Sequence, residues 1–297
     1  MSFKHRCVQD LAWVIQSPPV ISGVFNQTRW LDKTACEEEY NACLPALQQL
    51  DHQPATLIKQ LARLKPYVLG KRFESYVHYW LRISPHFECL RYNYVLQDEQ
   101  RTLGEADFII RELATDKIIH LEVAVKFYLG INRESSSSSS SNDAESNDIG
   151  AMHHWHGTNL RDRLDIKFNR LVSHQTQLAT NYPERMPYSI DASWCLLKGR
   201  MFTPVTQQTL PAFFADSCPQ GIWLKTNDAP ETKTHLMLQK QDWLAEIVGY
   251  KGELQLPPRD VTHSACFATF VKRSRKQRER DETTRFFLLP DDFFQRG

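Results

Sequence analysis

An α/β fold built on a mixed sheet is predicted by three features of the sequence. Residues 70–83 carry apolar side chains at helical spacing. Residues 104–110 and 120–128 alternate apolar and polar side chains, as strands do. Residues 159–181 return to helical spacing before another strand at 189–198. With a further strand at 91–97, the order over 70–200 is helix, strand, strand, strand, helix, strand.

The elements can be justified in turn. Residues 7–66 read as helical. Leu11, Ala12, Val14 and Ile15 form an apolar stripe that stops at Ser17-Pro18-Pro19. Leu44, Leu47 and Leu50, then Leu57, Ile58, Leu61 and Leu64, continue the spacing, with Pro54 dividing two helices. The segment 1–69 is therefore expected as a helical N-terminal elaboration. In 70–83, Phe73, Val77, Trp80 and Leu81 share a face, Glu74 and His78 lie beside it, and Pro85 ends the helix. Tyr92, Tyr94 and Leu96 alternate with Arg91, Asn93 and Val95 in the first strand. Turn residues Ala114–Lys117 then separate two strands that can close as a hairpin.

In the second of these, Leu121, Val123, Val125 and Phe127 form a core face, and His120, Glu122, Ala124 and Lys126 point the other way. The hairpin brings Asp107 toward Glu122. Residues 133–150 are rich in Ser, with Ala144 and Ile149 the sole apolar side chains, as a disordered insert would be. Leu160, Leu164, Phe168, Leu171 and Leu178 give the second helix its apolar face, with Arg161, Arg163, Lys167, Arg170, His174 and Gln175 on the others. An Arg161–Asp165 pair fits that helix. Residues 201–297 read as an α+β extension, with strands at 267–271 and 285–289.

Bulk properties exclude several classes. The 297 residues are 41% hydrophobic and 24% charged, ordinary for a globular protein. Lys+Arg 36 against Asp+Glu 35 leaves a net charge of +1, so any nucleic-acid binding must use a local patch. The basic run Lys272–Arg280, with Arg273, Arg275 and Lys276, is one candidate patch. Seven scattered cysteines without a CxxC pair argue against a zinc ribbon or a disulfide framework and suit a reducing cytoplasm. No apolar run is long enough for a signal peptide or a membrane span, so no membrane partner is expected. His153, His154 and His156 have no partner at zinc spacing and read as a loop. No Walker loop or GxGxxG occurs.

The motif GEADFII (Gly104–Ile110), followed by HLEVAVKFY (His120–Tyr128), resembles the PD-(D/E)XK nuclease superfamily. There a helix glutamate precedes an aspartate strand and an (E/D)-x-K strand. Glu74 in GKRFE stands where the helix glutamate belongs, Asp107 and Glu122 where the strand acids belong. The resemblance implies a restriction-endonuclease-like core over 70–200. The usual lysine position is Ala124. Lys126 lies two residues further on the same face, roughly 7 Å along the strand. Over nearly its full length the chain is also similar to the bacterial domain-of-unknown-function family 1853. DLAW (Asp10–Trp13), the turn Ser17–Pro19, GEADF, EVAVKFYLG (Glu122–Gly130), WHGTNLRDRL (Trp155–Leu164) and LLKGRMF (Leu196–Phe202) carry that similarity.

Two carboxylates beside a lysine suit a hard cation and phosphodiester hydrolysis. Asp107 and Glu122, with Glu74, are expected to hold Mg²⁺ or Mn²⁺, and Lys126 to orient water or stabilise charge on phosphorus. Lys71, Arg72, Lys167 and Gln175 are further candidates for contact with nucleic acid, DNA rather than RNA. The expected activity is metal-dependent hydrolysis of DNA, structured or damaged. The rivals are a catalytically silent nucleic-acid-binding or scaffold protein on the same fold, and a hydrolase of another phosphate ester.

Overall fold

A computed structural model describes residues 3–65, 67–131, 149–206, 209–232, 234–272 and 279–296. Most of the Ser-rich segment, over 132–148, lies outside the described residues, as do Arg273, Arg275 and Lys276. The element order is α1 (Arg6–Gln16), β1 (Gly23–Phe25), β2 (Thr28–Trp30), α2 (Lys33–His52), α3 (Ala55–Leu61), α4 (Leu69–Ile83), β3 (Phe87–Gln97), β4 (Thr102–Glu112), β5 (Lys117–Gly130), β6 (Trp155–Gly157), α5 (Leu164–Ser173), α6 (Leu178–Asn181), β7 (Ala192–Pro204), β8 (Gln220–Lys225), β9 (His235–Met237), β10 (Ala265–Lys272) and β11 (Arg280–Leu289). The fold is mixed α/β. Among the described residues no helix is long and apolar enough to cross a membrane. The cysteines are free thiols.

The chain forms two compact units, each discontinuous in sequence. The first is Met1–Val125 with Lys167–Gly199, and the second is Lys126–Ile166 with Arg200–Gly297.

In the first unit the sheet runs β3-β4-β5-β7. β3 and β4 pair antiparallel from Phe87↔Glu112 to Gln97↔Thr102. β4 and β5 pair antiparallel from Glu112↔Lys117 to Phe108↔Leu121, closing the hairpin expected around Ala114–Lys117. β2 joins β7 in parallel through Arg29↔Trp194 and Trp30↔Cys195. β5 is buried on both faces: His120 and Glu122 are as inaccessible as Leu121. A central strand between two neighbours, covered on both sides, has no solvated face.

Helices cover this sheet for reasons visible in their residues. Leu11, Val14 and Ile15 of α1 are buried. At its C-terminus the wholly buried Lys198 donates to the carbonyl of Ile15 at 3.2 Å and to that of Ser17. Those carbonyls would otherwise lack partners. Asp32 caps α2 by accepting the Ala35 N–H at 2.9 Å. α2 ends at His52, and Pro54 stands at the N-cap of α3, as expected. In α4, Phe73, Val77, Trp80 and Leu81 are buried. Ser84, before Pro85, turns extended and ends the helix.

Two expectations need correction. Residues 7–66 are not all helical: β1 and β2 form a hairpin whose turn residues, Asn26 and Gln27, take φ +47° and +61°. Two left-handed residues make a tight turn matched to strand twist. Nor is 159–181 one helix. α5 ends at Ser173, His174 leaves helical geometry at φ −128° and ψ −66°, and a short turn at Gln175–Gln177 precedes α6. Arg161 and Arg163 lie ahead of α5, and Asp165 pairs with Arg163 at 2.7 Å instead of Arg161.

In the second unit, β8 pairs in parallel with β11 and with the end of β7, while β11, β10 and β9 pair antiparallel. Leu224, Phe267, Phe286 and Leu288 form a core cluster. Wholly buried Arg285 pairs with Glu282 at 2.8 Å and donates to the carbonyls of Trp243 and Ala245, anchoring that irregular segment to β11.

Candidate functional site

The hairpin ladder between β4 and β5 stops at Phe108↔Leu121. One residue further, side chains take over from backbone. The Asp107 N–H donates to Glu122 Oε1 at 3.3 Å, and the Val123 N–H donates to Asp107 Oδ2 at 3.0 Å. The carboxylates thus satisfy backbone donors while standing side by side. Gly104 lets β4 pass against Leu178, whose side chain would lie 2.7 Å from an added Cβ.

Glu122 is fully buried and held on every side. His120 Nε2 lies 2.9 Å from Oε1, and Gln175 Nε2 donates to Oε2 at 2.9 Å. Gln175 in turn accepts from Lys167 Nζ at 3.0 Å. The short turn after α5 is what brings Gln175 to the sheet. His120 Nδ1 is buried without a hydrogen-bond partner among the described residues.

The Asp107 carboxyl is strongly perturbed. Burial first, and then the neighbouring Glu122 charge, push its carboxyl up to about 8; Glu74 adds to the rise, while the Val123 N–H and Lys167 oppose it. A buried carboxyl beside another carboxylate keeps its proton until a cation or higher pH removes it.

Glu74 is placed by an aromatic stack. His78 of α4 stacks on Tyr92 of β3 at 4.5 Å, and Tyr92 on Phe108 of β4 at 5.0 Å. Glu74, one turn before His78, pairs with Lys71 at 2.6 Å. Arg72 lies over the Tyr76 ring, 6.0 Å from its centroid.

The structure therefore brings together Asp107, Glu122, Lys167 and Gln175, with Glu74 close enough to raise the Asp107 carboxyl. Lys126 belongs to the second unit, where its amine forms an ion pair with Asp162. His120 has a contact that sequence reasoning left without a role. The signal was a histidine two residues before the glutamate on one strand, hence on the same face.

Among the described residues no three His, Cys, Asp or Glu side chains are arranged to hold a metal ion. The donor set is a pair of carboxylates. Asp107 keeps one oxygen without a hydrogen bond among the described residues. Oxygen donors fit Mg²⁺ or Mn²⁺, which keep several waters when bound by one or two carboxylates.

Residues 9–287 match a family described as domain of unknown function 1853. No curated protein and no solved structure matches the chain.

Proposed function

We propose that the chain, which belongs to the family described as domain of unknown function 1853, is a metal-dependent nuclease acting on DNA. The observation that carries this reading is the buried Asp107–Glu122 pair at the end of the β4–β5 ladder. The pair lies on adjacent strands of the first unit's sheet in a mixed α/β fold. The free thiols suit a cytoplasmic setting.

In this reading Asp107 and Glu122 hold Mg²⁺ or Mn²⁺, and Glu74 positions a water beside them. A bound ion would polarise a phosphoryl oxygen and acidify a water. Gln175 and His120 fix the Glu122 carboxylate, as outer partners of metal ligands do. Lys167 supplies the positive charge near Asp107 that the motif asks of a lysine.

One observation favours a second reading. Lys126 is engaged by Asp162, and Lys167 reaches the acids through Gln175. A catalytically silent nucleic-acid-binding protein on the same fold is consistent with that.

Calorimetric titration of Mn²⁺ and Mg²⁺ into wild type and Asp107→Ala tests the metal site without a choice of substrate. Binding lost in the variant, together with EDTA-sensitive nicking of plasmid DNA, is the expected result. DNA binding with neither metal binding nor nicking would establish the silent protein instead.

A further inference from the structure

The second unit holds a cavity of about 740 Å³, within the ~300–1,000 Å³ of small-molecule sites. It is walled by residues 158–161, 237–240, 262–266, Trp243, Phe293 and Arg296. Arg161, Lys240, His263 and Arg296 line it, and among the described residues no acidic side chain does. Arg296 pairs with Asp292 at 2.6 Å. Arg161 and Lys240 are exposed and have no ion-pair partner among the described residues.

Trp243 forms part of the cavity's apolar wall. It is 7% exposed, packed edgewise on Phe127 and Phe287 and held through its carbonyl by Arg285. Lys240 Nζ lies 6.0 Å from the Trp243 ring centroid.

The walls are tied in place. Ser264 Oγ donates to the Thr158 carbonyl at 2.6 Å. Asn159 Oδ1 accepts the Arg161 N–H at 3.1 Å, and Leu160 takes φ +62°. This left-handed residue sets the turn that carries Arg161 at the rim.

We propose that this cavity binds a nucleoside phosphate, free or as one unit of a single strand. Arg161 and Lys240 receive the phosphate. The apolar wall of Met237, Leu238 and Phe293 covers the base. Inorganic phosphate or pyrophosphate would use the cations and leave the apolar wall idle. The site shares no residue with the carboxylate pair of the first unit and does not rest on the nuclease reading.

The test is equilibrium binding of AMP and of a fluorescein-labelled single-stranded oligothymidylate, in EDTA at low salt. EDTA keeps the first unit's carboxylates free of metal, so failure here leaves the nuclease reading intact. Both probes should bind wild type and compete. Affinity should fall about tenfold or more in Arg161→Ala/Lys240→Ala, whose exposed positions leave the melting temperature unchanged. Oligonucleotide binding without AMP binding, still lost in the double variant, would assign the site to a strand. The proposal is overturned if neither probe binds wild type, if the double variant binds as well as wild type, or if pyrophosphate displaces both probes as readily as AMP does.

Discussion

Replacing Asp107 with Asn should stabilise the metal-free protein at alkaline pH while removing metal binding. The Asp107 carboxyl is raised from an ordinary 3.8 to about 8 in the fold, by burial and then by Glu122. A raised carboxyl contributes stability fully below pH 4, and that contribution declines as pH rises through 8. At about 1.4 kcal/mol per pH unit, flattening as the carboxyl ionises near 8, this group alone makes the wild type lose about 3 kcal/mol between pH 6 and 9. Asn keeps the shape and an oxygen for the Val123 N–H, and it cannot ionise. Urea unfolding in EDTA at pH 6 and pH 9 should therefore show a steeper decline for wild type than for Asp107→Asn, by about 3 kcal/mol. Mn²⁺ at a hundredfold excess over its Kd should restore about 2.7 kcal/mol to wild type and nothing to the variant. Equal pH slopes for the two proteins would refute the reasoning, because the carboxyl would then not be a desolvated charge.

Other perturbations separate the roles of neighbouring residues. Gln175→Ala removes the bond to Glu122 Oε2 and the acceptor of Lys167. Mn²⁺ affinity by calorimetry should drop about tenfold or more, with unfolding little changed. Lys198→Met deserts the carbonyls of Ile15 and Ser17 at the end of α1, and urea unfolding should register a loss of about 2–3 kcal/mol. Gly221→Ala would place a Cβ 2.7 Å from the Arg285 carbonyl oxygen, which is backbone and cannot yield, so a cost of about 3 kcal/mol is expected. Gly104→Ala meets only the Leu178 side chain and should cost less, about 1 kcal/mol, in the same assay.

Legibility in the sequence followed the range of the signal. α4 was readable because Phe73, Val77, Trp80 and Leu81 repeat at helical spacing and Pro85 stops them. The apposition of Asp107 and Glu122 was readable because a period of two and a short turn determine register. The β1–β2 hairpin escaped notice because its turn is Asn26-Gln27, and a Gln at the second left-handed position carries no turn signature. The turn that delivers Gln175 was hidden in the same way: His174 breaks the helix without Gly or Pro, so the leucine spacing ran on unbroken. The Lys126–Asp162 pair joins residues 36 positions apart, which no local pattern encodes. The burial of both faces of β5 likewise depends on neighbours far along the chain.

The discontinuity of the two units has a consequence for synthesis and for dissection. Neither unit is contiguous, because residues 126–166 belong with 200–297 and residues 167–199 with 1–125. A ribosome that has released residue 125 has not yet made β7, so the sheet of the first unit waits for residues 192–199. The described residues of 126–166 likewise wait for 200–297, the rest of the second unit. Long-range closure of this kind slows folding and exposes strand edges. A chain cut after residue 199 would retain every part of the first unit and carry 126–166 without the rest of the second. Expression of either half alone should therefore favour aggregation, and co-translational capture by a chaperone would act on that middle segment.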